Sequence, residues 1–241
     1  MRTRLGLKVL GLCALVMGTM AIGTAGVAQA ETGACWGYLE GANLKCFTTG
    51  GLEAGVKFVF TGKTGTLLIA NVNIEFLCTG GEIINGGKLT SNGSITSGQV
   101  KLTGCVALSR TPTLSKLLAC TPTDPVGGSG TIISEKITGL IRLHEGEPTV
   151  LLKPVTGENL AKIHLGEECS VSEELIVKGE LVLSDTGGKA GFETHVLSHT
   201  FEEFSKLQLM TVGVNKSTID GTMSITLTSP HNSLKWAGKA A

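Results

Sequence analysis

Glu193, His195 and His199 stand two and four residues apart, and on a β-strand that spacing puts all three on one face. A carboxylate with two imidazoles is donor chemistry for a metal ion. Strand positions i and i+4 are, however, about 13 Å apart, too far to share one ion unless a bulge folds the strand. No third or fourth donor and no supporting shell is specified. The expectation is a solvated pair with no metal and no other cofactor, and the trio stands as a weak candidate binding group.

The other reactive side chains are weaker still. His144 and His164 fall on polar faces of their strands. A serine hydrolase needs a serine activated by a histidine and an acid. Aspartate occurs only at Asp124, Asp185 and Asp220, and no G-x-S-x-G elbow is present. Gly128-Ser129-Gly130 reads as a loop. Glu167-Glu168, Glu173-Glu174 and Glu202-Glu203 suggest paired carboxylates, but adjacent strand residues point to opposite faces, so no pair makes a glycosidase dyad by itself. Thr61-Gly62-Lys63-Thr64-Gly65 contains the G-K-T that ends a phosphate loop, yet Lys57 occupies the position of its first glycine and the turn joins two strands. No calcium loop of the D-x-D-x-D-G type occurs. No catalytic residue is assigned, and the expectation is a non-enzymatic protein.

Sulfur is the remaining chemistry. Residues 1–30 have the form of a secretory leader: Arg2, Arg4 and Lys8 begin it, Val9 to Ile22 is apolar, and Ala28-Gln29-Ala30 is a small-x-small cleavage site. Beyond Ala30 no apolar run is long enough to span a bilayer. Cleavage leaves Cys35, Cys46, Cys78, Cys105, Cys120 and Cys169, an even number suited to disulfides outside the cytoplasm. Irregular spacing and the lack of C-x-x-C argue against zinc and thioredoxin-like redox chemistry. Cleavage also leaves 17 basic against 20 acidic residues, a net charge of −3, so nucleic acid is not an expected partner.

These residues need a scaffold, and the chain spells out strands. With 34 glycines and many Thr, Ser, Val and Ile at alternating spacing, it favours short strands and tight turns. Aromatics are only 4%, too few for a stacking platform for sugars or bases. In the stretch 71–78, Val72, Ile74, Phe76 and Cys78 share one parity and Asn71, Asn73 and Glu75 the other. Leu175, Val177, Gly179, Leu181 and Leu183 read as one long strand, and Ile219, Gly221, Met223, Ile225 and Leu227 as another. Asn85-Gly86 and Asn92-Gly93 are hairpin signals. Residues 106–123 are the least β-like, with one helical turn at Leu114 to Leu118, and 124–130 is a hinge-like loop.

The organisation expected is a leader at 1–30, a small disulfide-closed unit at 31–51, a main β domain at 52–229 and a loose tail at 230–241 with Trp236 exposed or lightly docked. The fold class is all-β: an antiparallel β-sandwich or β-barrel of about a dozen short strands, stapled by disulfides. Local bridges Cys35–Cys46 and Cys105–Cys120 are the simplest pairing and leave Cys78 with Cys169; the last two extend the inward rows of their strands.

The order Cys35…Cys46, Gly65-Thr66-Leu67 before Cys78, Leu102-Thr103-Gly104-Cys105 before Cys120, Gly130-Thr131-Ile132-Ile133, Leu151-Leu152-Lys153-Pro154, Cys169 and Val177-Lys178-Gly179-Glu180-Leu181 resembles a many-paralogue family of secreted, six-cysteine, β-rich proteins from high-G+C soil bacteria. The likeness runs from Cys35 to Leu227; the Val106–Ala119 insert departs from it. It implies an exported β protein and carries no activity or catalytic residues. The function expected is therefore a secreted binding or structural protein of the cell envelope or extracellular space, meeting an extracellular ligand. A lipid or small-molecule carrier with a closed barrel and a secreted hydrolase are the alternatives.

Overall fold

In a computed structural model, the described residues are 35–47, 52–58, 65–69, 74–110, 115–117, 121–144, 147–166, 169, 174–185, 191, 193–199, 210–212 and 215–239. Among them are twenty-two strands, numbered in chain order, and all their pairings are antiparallel. The sandwich-or-barrel alternative resolves as a closed barrel.

One ring is built from β3 (Leu52–Phe58), β6 (Gly80–Ile84) with its short continuation β7 (Lys88–Leu89), β8 (Ser94–Thr103), β14 (Ile137–His144), β15 (Glu147–Pro154), β18 (Leu181–Asp185), β19 (Thr194–His199) and β21 (Asn215–Leu227). Each bonds the next: β3 to β6, β6 to β8, β8 to β14, β14 to β15, β15 to β18, β18 to β19 and β19 to β21, while β21 returns to β3. A second, curled sheet continues from one end. It runs β16 (Asn159–His164), β17 (Glu174–Gly179), β20 (Met210–Val212), β21 again, β4 (Gly65–Ile69), β5 (Ile74–Cys78), β9 (Val106–Arg110) and β10 (Ser115–Leu117).

The two sheets share β21. Its first half pairs β20 and β4, and its second half pairs β19 and β3. Thirteen residues at the usual rise span roughly 40 Å, enough to thread both storeys. The alternation read from the sequence holds here: Met223, Ile225 and Leu227 are buried, and Thr222, Ser224 and Thr226 lie on the wetter face. The row also holds in β5, where Ile74, Phe76 and Cys78 are buried. Inside the ring, Ile141, Val150, Leu152, Leu183, Leu197 and Ile225 belong to one core, each worth about 1.5–3 kcal/mol on full burial.

The chain crosses between storeys at sharp corners. Because β5 pairs β9 while β6 pairs β8, two bent ribbons turn side by side at Cys78–Gly80 and Thr103–Cys105. Gly104 makes its corner with φ of 61°, and a Cβ there would stand 2.1 Å from Thr79 Oγ1. Thr79 N donates to the Thr103 carbonyl at 3.1 Å. The register Leu77↔Val106 places Cys78 opposite Cys105, and the two are disulfide-bonded. This replaces the expected Cys78–Cys169 and Cys105–Cys120 pairs. The Gly104 corner makes Cys105 lead into β9 (Val106–Arg110) rather than end β8. Cys169 is buried and also in a disulfide, with a partner outside the described residues, where Cys120 lies. The Cys35–Cys46 pair forms as expected.

Three further expectations change. The stretch 175–183 bends after Gly179, so β17 and β18 belong to different sheets, although Leu175, Val177, Leu181 and Leu183 all remain buried. Asn85-Gly86 does not close a hairpin: β6 and β7 lie along the same partners, β3 and β8, and a Gly86 Cβ would meet the Ser97 carbonyl at 1.8 Å. Ser115–Leu117 is a strand in place of the helical turn, because β9 offers it an edge. Asn92-Gly93 does sit in the β7–β8 turn, where Thr90 N donates to the Ser94 carbonyl. Between the storeys, β13 (Ile132–Ile133) bonds β8, and β11 (Thr123–Asp124) with β12 (Gly128–Ser129) forms the hairpin that occupies the expected hinge. Asp124 Oδ1 accepts from Val126 N and Gly127 N and fixes its turn.

The far end of the ring is covered by β2 (Asn43–Cys46), β1 (Cys35–Glu40) and β22 (Trp236–Lys239). The expected loose tail thus supplies a strand, and Trp236 is fully buried. A Cβ on Gly238 would meet Ile141 Cδ1 at 2.4 Å and Trp36 Cζ3 at 2.9 Å, so backbone and indole pack directly onto the ring interior.

Candidate functional site

The row Leu181, Leu183, Asp185 in β18 and the row His195, Leu197 in β19 both face the ring interior, and the register Asp185↔Leu197 makes Asp185 and His195 diagonal neighbours. His195 Nδ1 lies 3.0 Å from both carboxylate oxygens of Asp185, and its Nε2 is 2.7 Å from the Trp236 carbonyl. A carbonyl only accepts, so Nε2 carries a proton and donates it there. The imidazole also stacks on the Trp236 indole with centroids 3.8 Å apart, and Trp236 Nε1 donates to the Glu193 carbonyl at 3.1 Å. Trp36 packs against Trp236 at 5.2 Å.

This places the trio of the sequence reading. His195 is fully buried rather than solvated, whereas Glu193 is exposed, precedes β19 and contributes its backbone carbonyl. They do not share a face. His199 ends β19, and its side chain is outside the described residues. With both ring nitrogens engaged, His195 offers none to a metal or a serine; its chemistry is to clamp the covering sheet to the ring. Parity with Leu197, and that of Asp185 with Leu181 and Leu183, was the available signal.

Of the other candidates, His164 is half-exposed and 3.4 Å from Glu174, a surface pairing of the kind worth little. Ser129 Oγ and Thr121 Oγ1 hydrogen-bond each other at 2.8 Å. The side chain of His144, Thr61 to Thr64, Glu167-Glu168, Glu173 and Glu202-Glu203 lie outside the described residues. No group of three or more His, Cys, Asp or Glu among the described residues could hold a metal ion.

A cavity of about 110 Å³ lies where the ring opens into the curled sheet. Leu152, Leu183, Leu197 and Met223 line it from the ring, and Ala161, Val177, Met210 and Ile219 from the curled sheet. The residues are small or mismatched where the two storeys meet: Ala161 and Gly221 leave room that their neighbours do not fill. A smaller void of about 20 Å³, walled by Ile95, Gly139 and Ile225, shares Leu152, Leu197 and Met223 with it and reaches further into the ring.

A third space, an open groove of about 820 Å³, runs past Thr90 to Ser97, Lys153 and Glu158. Its polar groups are largely consumed locally. Thr90 Oγ1 bonds Asn92 Oδ1, the Ser94 carbonyl and Ser94 Oγ, and Thr138 Oγ1 bonds the Ile95 carbonyl. Ordered surface turns explain that groove without a ligand.

In comparisons with family models, curated proteins and solved structures, the chain matches none.

Proposed function

We propose that this chain is an exported, non-enzymatic binding protein of the cell envelope or extracellular space, and that it holds a small apolar molecule in the cavity between its two storeys. The observation that carries this reading is a closed ring whose interior opens into a space of about 110 Å³ with almost wholly apolar walls. Dry apolar cavities on the order of 150 Å³ take up benzene, so this one suits a small aromatic or short aliphatic group. The leader-like residues 1–30 and the disulfides are in keeping with an oxidising compartment outside the cytoplasm.

The experiment is thermal unfolding of the oxidised protein with benzene, toluene and short alkanes, beside Ala161→Leu, which fills the cavity. A ligand at a hundred times its Kd raises the wild-type Tm by roughly 5–10 °C. Ala161→Leu should abolish that response while unfolding at or above the unliganded wild-type temperature. A wild-type protein unmoved by every probe would overturn the reading.

A further inference from the structure

We infer that the cavity's occupant is an unbranched hydrocarbon chain lying along β21, and that Met223 is the movable partition that sets how long a chain fits. This rests on the cavity being the ligand site.

The inward row of β21 runs Ile219, Gly221, Met223, Ile225. Ile219, Gly221 and Met223 line the larger space, and Met223 and Ile225 line the smaller. The two spaces therefore follow one another along the strand, with Met223 at their boundary. From Ile219 to Ile225 the backbone advances roughly 20 Å. Leu197, the register partner of Met223, also borders both spaces, as do Ile137 and Leu152. Beyond this boundary the smaller space owes its room to Gly139, where a Cβ would stand 3.0 Å from Ile95 Cδ1 and 3.1 Å from Leu152 Cδ2. At about 20 Å³ it holds one water-sized group, close to the size of a chain's terminal methyl.

A space that is long in one direction and narrowed at one level suits a chain, which passes the narrow level end-on, better than a ring. Met223 is the part of the boundary able to yield. Its unbranched thioether has three rotatable bonds, whereas Ile137 is branched at Cβ and stiff at χ1. The walls call for no polar group on the occupant. Ser134 Oγ is already engaged, accepting from Val100 N and donating to the Glu135 carbonyl. Thr222 takes the opposite parity to Gly221 and Met223.

The test measures dissociation constants of n-pentane, n-hexane, n-heptane and cyclohexane by calorimetry, for the oxidised wild-type protein, Met223→Ile and Met223→Ala. In the wild type, n-hexane should bind more tightly than cyclohexane, its equal in carbon number. There n-heptane should bind about 15-fold more tightly than n-pentane, about fourfold for each of two buried methylenes. In Met223→Ile, close in volume but stiff, that ratio should fall toward one. In Met223→Ala it should be kept or exceeded. Each ratio is taken within one variant, so a change in overall affinity cancels, and the volume-conserving isoleucine carries the test if the alanine variant does not fold. If cyclohexane binds as tightly as n-hexane, the chain reading is wrong and the cavity reading survives. If n-hexane is preferred but the heptane-to-pentane ratio is the same in Met223→Ile and wild type, Met223 is not the partition. If no probe binds the wild type, cavity and chain readings fall together.

Discussion

His195 touches Trp236 twice: its ring lies 3.8 Å from the indole centroid, and its Nε2 donates to the same residue's carbonyl at 2.7 Å. One imidazole thus holds both the side chain and the backbone of β22, while Asp185 holds the imidazole from the other side. The covering sheet is attached to the ring through a polar clamp in an apolar setting.

Replacing His195 with Ala leaves the buried Asp185 carboxylate without its imidazole. Breaking a buried pair from one side costs about 3–5 kcal/mol, which urea unfolding followed by far-UV circular dichroism will read. Adding Asp185→Asn should recover part of that loss, because a neutral amide costs less to bury away from the imidazole than a carboxylate. A loss below 1 kcal/mol would show that the clamp contributes little.

Both tryptophans of the chain, Trp36 and Trp236, are in the covering sheet and almost fully buried. Intrinsic tryptophan emission therefore reports on this sheet alone. In His195→Ala the emission should shift to the red at urea concentrations where the far-UV signal of the ring is still native. Coincident transitions would mean that sheet and ring unfold as one unit.

Peptide mapping without reduction should recover Cys78 linked to Cys105. Loop-closure entropy for the 27-residue separation amounts to about 3.5 kcal/mol. The double variant Cys78→Ala, Cys105→Ala should lose somewhat less than that, since reference states retain structure. A fragment joining Cys78 to Cys169 would contradict the corner geometry.

Gly104→Ala tests the corner directly. The positive φ costs about 1 kcal/mol for a residue with a Cβ, and the contact with Thr79 Oγ1 adds to it. Thr79→Ala removes the contact and leaves the backbone term. In a double-mutant cycle the two substitutions should couple favourably by 0.5 kcal/mol or more.

Leu183→Ala enlarges the cavity between the storeys. The loss should be about 2–5 kcal/mol by denaturant unfolding. The variant should also accept a bicyclic probe such as naphthalene that the wild-type cavity excludes, observed as a Tm rise specific to the variant. A variant that loses stability but gains no larger ligand would mean that the walls have collapsed inward.

How far the sequence carried the fold depends on how local each feature is. The rows of β5 and β21 were legible because alternation is written into consecutive residues: Ile74, Phe76 and Cys78, and Met223, Ile225 and Leu227. The pairing of Cys78 with Cys105 was not, because it depends on Gly104 turning the chain between sheets, and a glycine inside a β-like run looks the same whether it bends or not. Trp236 to Lys239 carries no alternation; all that makes it a strand is the edge of β1. Of the site, the His195–Asp185 clamp was readable from parity, whereas the cavity was not. Its space follows from Ala161 and Gly221 meeting larger neighbours across a junction whose register only the assembled sheets define.

The pairing of Cys35–Glu40 with Trp236–Lys239 also sets an order of events. The two segments lie almost two hundred residues apart in sequence, and one whole edge of the first stays unpaired until the second arrives. The ring can close without the lid, but the gap above His195 is sealed only when Trp236–Lys239 docks. Contacts this distant in sequence form slowly, so the terminal clasp should be the latest step of maturation and the point at which a nascent molecule is most open to capture by chaperones or proteases.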